Sequence, residues 1–123
     1  MRKGAEAEQM IGAEQIVIDM AQLRNITLED PELMREIVSA LVDDASAQIV
    51  KLGTALERAD ATECARVAHS ARGACGNVGA ASLAALFSSV EQEARSGNLS
   101  ACRARLSVLH QELDRLRIEA RTI

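Results

Sequence analysis

The sequence predicts an all-α domain, an antiparallel up-and-down four-helix bundle preceded by a short helical segment, and three observations carry that prediction. Twenty-two alanines stand against one Phe and no Tyr or Trp. That composition suits closely packed helices, whereas sandwiches and barrels draw on aromatic and β-branched residues. Apolar residues recur every three or four positions over four long stretches, the spacing of one helix face. The stretches are joined by short links with capping residues, and short links make successive helices antiparallel. With 123 residues, 48% apolar and 26% charged, the chain is expected to form one domain. It is long enough to bury roughly two-thirds of its unfolded surface without disulfides or metals.

Residues 1–15, rich in Ala, Glu, Gln and Gly, read as a mobile or weakly helical lead-in, and residues 16–123 as the domain. Ile16, Ile18, Met20 and Leu23 mark a short apolar segment ending in a helical turn, and Ile16, Ile18 and Met20 are available to cover the end of the bundle or a second chain. Asp30-Pro31 is an N-cap followed by proline at the first helical position. From Leu33 onward Met34, Ile37, Val38, Leu41, Ala45, Ile49, Leu52 and Leu56 line one face of a helix expected to reach about Ala59, with Gly53 a weak point inside it.

Asp60-Ala61-Thr62-Glu63 has the form of a capping box, so a second long helix begins at Ala61. Cys64, Ala68, Ala71, Cys75 and Val78 follow helical spacing and form its core stripe. Gly79 offers a C-cap. Leu83, Leu86, Phe87, Val90 and Ala94 then define the buried face of the next helix, to about Ser96, where Gly97-Asn98 ends it. The last helix carries Leu99, Cys102, Leu106, Leu109, Leu113 and Leu116, a heptad seam running toward the C-terminus.

Charge and cysteine content narrow the function. A net charge of −4 with a single aromatic residue, Phe87, available for stacking disfavours nucleic-acid binding, which needs a basic stripe for phosphates. No apolar run approaches the ~18 residues of a membrane-spanning helix. Cys64, Cys75 and Cys102 are odd in number and contain no CxxC pair, so they read as small buried residues of a reducing compartment. Acidic residues soon follow Arg2 and Lys3, so no signal-peptide apolar region forms, and a cytoplasmic location is expected.

With the core stripe assigned, His69 projects about 100° from Ala68, toward the side shared by Ala65, Arg66, Arg72, Gly73 and Gly76. It is therefore expected to face solvent. Most exposed histidines have no chemistry, but this one has a cation one turn on and two glycines beside it. Each mid-helix glycine costs about 1 kcal/mol relative to alanine, and both lie away from the core stripe. Their expected use is to leave the imidazole accessible to something outside the bundle.

The segment Ala68-His69-Ser70-Ala71-Arg72-Gly73-Ala74-Cys75-Gly76-Asn77-Val78-Gly79-Ala80 resembles the His-x-x-Lys-Gly signature of histidine-containing phosphotransfer (HPt) domains. The resemblance continues through Leu83 and Leu86 to Glu91, and more weakly over Leu23 to Leu56, about 100 residues in all. It implies a histidine phosphotransfer protein of a two-component phosphorelay, with His69 at the phosphorylated position. The group would pass to or from the aspartate of a response-regulator receiver domain, and a hybrid histidine kinase is the other implied partner. The sequence departs from the family pattern at Arg72, usually Lys, and at Ala71, commonly a larger aliphatic residue. Arg72 keeps the positive charge and adds planar donors for phosphate oxygens.

A helical hairpin turning near Gly79-Ala80 sets residues equidistant from the turn side by side, which brings His69 opposite Val90 and Glu91. Glu91 is then the candidate group that orients the imidazole, and the family places a polar partner at this offset. The candidate receiver interface is Arg66, Gly73 and Gly76. No glycine-rich nucleotide loop or metal-ligand spacing occurs. The expectation is a carrier with no kinase or ATPase activity of its own and no cofactor, Mg²⁺ belonging to the receiver. His110, beside the seam residue Leu109, reads as a surface residue. A non-phosphorylated scaffold or adaptor of the same fold, binding a receiver or kinase, is the alternative. A bundle metalloprotein is disfavoured because neither histidine has a Glu three residues before it. A closed bundle needs no second copy, so a monomer is expected.

Overall fold

The computed structural model describes residues 16–123, and five helices lie among them: α1 (Met20–Ile26), α2 (Pro31–Glu57), α3 (Ala61–Val78), α4 (Ala81–Arg95) and α5 (Leu99–Ala120). The lead-in assigned to residues 1–15 falls outside the described residues. Each long helix starts or stops for a local reason. Asp30 accepts hydrogen bonds from the N–H groups of Glu32 and Leu33, with Pro31 at the first position of α2. Asp60 accepts from Glu63 N at 3.0 Å, and Asn98 from Ala101 N at 3.2 Å. These bonds satisfy N–H groups that a helix start leaves without partners.

The capping box at Asp60 is only half made. Glu63 turns away from the Asp60 amide and pairs with Arg66 at 2.6 Å, while Asp60 N donates to Ala55 O. That last bond, with Ala59 N to Leu56 O, closes the end of α2 in a two-bond C-terminal motif. Ala59 sits there at φ 52°, so α2 stops at Glu57, two residues short of the expected end. Gly79 caps α3 in the left-handed region at φ 101°, as the sequence predicts.

The packed pairs are α2–α3, α3–α4, α4–α5 and α5–α2, a closed ring of four helices around one core. Phe87, Leu52, Leu56, Leu83, Leu109, Leu113 and Leu116 are fully buried at its centre, each such side chain contributing about 1.5–3 kcal/mol. α3 is lined with small residues on its inner side, Cys64, Ala65, Ala68, Ala71 and Cys75, which lets its neighbours approach closely. All three cysteines are buried and free. Burial pushes their thiols up, Cys75 to about 12, so they are not nucleophiles near neutral pH.

α2 and α5, at 27 and 22 residues, outrun α3 and α4, at 18 and 15. With 1.5 Å of rise per residue, the long pair leaves a step at one end of the bundle, and the N-terminal segment fills it. Ile18, Leu23 and Thr27 are buried there. Asp19 N donates to Gly79 O, Gln22 Nε2 to Gly76 O, and Ser82 N to Ile16 O. The last contact matters because Ala80 brings no capping side chain to the start of α4. Of the expected cover residues, Ile18 packs into the core while Ile16 stays 59% exposed.

Candidate functional site

His69 occupies the middle of α3 on its outer face, with a side chain 60% exposed. The hairpin symmetry about Ala80 brings Glu91 of α4 alongside, and Glu91 Oε2 lies 3.0 Å from His69 Nδ1. Glu91 is 8% exposed, and a buried carboxylate needs partners. It has four donor contacts: His69 Nδ1, Arg72 Nε on Oε1 at 3.1 Å, and Arg95 Nε and Nη2 on Oε2 at 3.1 and 2.7 Å. Hydrogen bonding from Arg95 is the main cause holding the Glu91 carboxyl below its ordinary range. His69 and Arg72 act the same way, against desolvation, which pushes it up.

The charge state of Glu91 fixes the histidine tautomer. An ionised carboxylate only accepts hydrogen bonds, so Nδ1 carries the proton and the neutral ring leaves its lone pair on Nε2. Arg72 Nη2 also lies 3.0 Å from Nδ1, but a guanidinium only donates. One ring nitrogen cannot accept from Arg72 while donating to Glu91. Donation from Nδ1 to Glu91 is taken as the resting arrangement, because Arg72 has a second acceptor in Glu91 Oε1 and keeps its place through that contact.

Gly73 and Gly76 are exposed, have ordinary negative φ, and an added Cβ at either would meet nothing within 4 Å. They lie on the open face where the sequence places them. The carbonyl of Gly76 is taken by Gln22 of α1, a contact between residues 54 positions apart that no local pattern reveals. Arg66 is exposed and tied to Glu63 along its own helix. Ala65 departs from expectation. It is 7% exposed and lines, with Ala94 of α4, a groove of about 560 Å³ whose lining also includes Arg66, His69 and Arg95. A methyl group does not reach out of that groove. Val67, outside the predicted stripe, is also buried.

Sequence reasoning missed Arg95. Its position four residues after Glu91 was a readable signal, but an exposed arginine on a helix is ordinarily a solvated charge. His110 is exposed, as expected. Among the described residues, no group of three or more His, Cys, Asp or Glu is arranged to hold a metal ion.

Comparison with known proteins places the fold. The Hpt domain family matches residues 36–119. The chain belongs to the Hpt domain family. Among solved structures, histidine-containing phosphotransfer protein B (HptB) from Pseudomonas aeruginosa PAO1 is similar, with a TM-score of 0.80 and 25% identity. The match covers 86% of this chain and 92% of that one. A candidate histidine-containing phosphotransfer protein from rice shares the fold at a TM-score of 0.77 and 24% identity, covering 86% of this chain and 79% of that one. No curated protein sequence matches significantly. The Hpt domain described here is a histidine phosphotransfer protein of the phosphorelay type, a class that interacts with receiver domains and kinases. The scaffold alternative is not favoured.

Proposed function

We propose that His69 is the phosphorylated residue, exchanging a phosphoryl group with the aspartate of a response-regulator receiver domain. The observation that carries this reading is the pairing of His69 Nδ1 with the Glu91 carboxylate, which leaves Nε2 as the basic, outward nitrogen of an exposed ring. In transfer to the domain, the Nε2 lone pair attacks phosphorus as the bond from phosphorus to the aspartyl oxygen breaks. The released carboxylate remains on the receiver. Positive charge that builds on the ring is stabilised through Nδ1–H by Glu91, and the reverse step returns the group. Arg72, one turn away, supplies donors for the phosphoryl oxygens as charge redistributes.

The domain acts as the substrate half of the reaction. It needs no cofactor of its own, and Mg²⁺ belongs to the receiver. Gly73 and Gly76 leave room above the ring for the incoming aspartate, with Arg66 on the flank. A monomer suits a closed four-helix core, the expected partners are cytoplasmic, and no described helix is long and apolar enough to cross a membrane. Incubation with a phosphorylated receiver tests the proposal. Acid-labile, alkali-stable label on the domain, lost in His69→Gln, is the expected result, and absence of label on the wild-type protein across all receivers of its source overturns it.

A further inference from the structure

Glu91 is served by two arginines in different ways. Arg95 comes from one turn along α4 and places two donors, Nε and Nη2, on Oε2, the same oxygen that faces His69 Nδ1. Arg72 comes across from α3 and places Nε on Oε1. Its Nη2 lies against Nδ1, where it opposes an N–H that already donates to Glu91. One end of the Arg72 guanidinium is therefore bonded and the other is poorly placed, whereas both contacts of Arg95 are satisfied.

We propose that Arg95 is a positioning residue: it holds the Glu91 carboxylate paired and aimed at Nδ1, so that Arg72 can leave Glu91 and follow the phosphoryl group. The division of labour rests on His69 being the phosphorylated residue. If Arg72 were the only cation on Glu91, its departure toward phosphate would strand a nearly buried carboxylate without a counter-charge, a state that costs free energy. With Arg95 in place, Glu91 keeps its charge and its aim on Nδ1 throughout transfer. Arg95 is also 62% exposed at its side chain, so its removal leaves the core intact.

Two measurements on the full chain test this. The first is the ¹⁵N spectrum of the His69 imidazole in the unphosphorylated protein above the histidine titration, assigned by its loss in His69→Gln. Wild type is expected to show one tautomer, protonated at Nδ1. Arg95→Ala is expected to show a mixture, and Arg95→Lys to recover part of the wild-type pattern. The second is the rate of transfer from a phosphorylated receiver. It is expected to fall roughly tenfold in Arg95→Ala, the scale on which losing a group that orients an imidazole is felt, with an unchanged melting temperature. A wild-type tautomer pattern in Arg95→Ala overturns the proposal even if transfer slows, because Arg95 would then act only as a docking residue in the groove. Persistence of label in His69→Gln would instead unseat the phosphorylation site, and the ¹⁵N result would still report on Arg95.

Discussion

Two glutamates of this domain are buried to nearly the same degree, Glu91 at 8% and Glu112 at 7% exposure, yet only one lies in the proposed site. Glu112 of α5 accepts from the Ser82 hydroxyl and from Arg115 Nη1 at 2.8 Å. It thereby fastens α5 to the first turn of α4. Glu91 accepts from His69, Arg72 and Arg95 on the open flank of the α3–α4 pair. Burial and arginine pairing are common to both. The difference lies in the partner that is not an arginine. A serine hydroxyl ends its network, whereas an imidazole passes the effect on, because fixing a proton at one ring nitrogen exposes a lone pair at the other. On the proposed reading, what sets Glu91 apart is a partner whose second nitrogen is free to react.

Replacing the imidazole removes the contrast altogether. His69→Gln is expected to abolish phosphorylation by a phosphorylated receiver while helicity and melting temperature stay at wild type, since an exposed side chain adds little to packing. Retained label would move the chemistry to His110.

The next test crosses the two carboxylates. Glu91→Ala is expected to slow formation of phosphohistidine without abolishing it, because the nucleophile remains and only its orientation and charge support are lost. Glu112→Ala is expected to leave the transfer rate at wild type and to lower stability by about 1–3 kcal/mol, the cost of a buried hydroxyl losing its partner. Chemical denaturation and receiver-to-domain transfer assays read the two effects separately, and the reverse assignment would dissolve the comparison. Acid adds a third reading. The Glu91 carboxyl titrates below its ordinary value of 4.5, so its stabilising contribution is complete above that value. It is lost as pH falls through the lower folded-state value. The acid limb of the stability profile in Glu91→Ala is therefore expected to be shallower than in wild type.

Much of this arrangement was legible in the sequence, for identifiable reasons. Asp30, Asp60 and Gly79 announce helix ends because capping is local chemistry within a few residues. The partnership of His69 and Glu91 follows from hairpin symmetry once the turn at Gly79-Ala80 is recognised. What stayed hidden depends on knowing which polar residues are buried. Glu112 sits beside the seam residue Leu113 and looks like a solvated charge until Ser82 faces it. Arg95 looks the same until Glu91 is known to be enclosed. Ala65 is ambiguous by nature, since a methyl group is tolerated on either face. The seating of Gln22 on the Gly76 carbonyl is a long-range event with no periodic trace.

A smaller effect is expected from Arg72→Ala. In the resting site its guanidinium duplicates part of the charge that Arg95 gives to Glu91, so the fold and the Nδ1 contact should survive. The loss is confined to stabilisation of the phosphoryl oxygens, read as slower transfer in both directions with unchanged thermal melting. Equal rates in wild type and Arg72→Ala would reduce Arg72 to a solvated cation and leave Glu91 with one functional arginine.

The smallest effect separates stability from docking at a single position. Gly73 has negative φ and open space where a Cβ would stand, so Gly73→Ala is expected to raise stability by up to about 1 kcal/mol. Part of that gain comes from restricting the unfolded chain, and a melt shifted upward by a few degrees reads it. Gly79 provides the contrast, for its φ is 101° and an added Cβ would lie 3.2 Å from the Asp19 carbonyl oxygen. Gly79→Ala is therefore expected to destabilise, by strain at the turn and by displacing the N-terminal segment. Gly73→Leu then asks what the open space is for. The bundle should fold, because the side chain projects into solvent, but a receiver aspartate approaching His69 would meet four added carbons one turn away. Transfer from a receiver is expected to fall while the circular-dichroism melt does not. Unfolding of Gly73→Leu would make the glycine a packing residue, and unimpaired transfer would put the receiver on another approach to the imidazole.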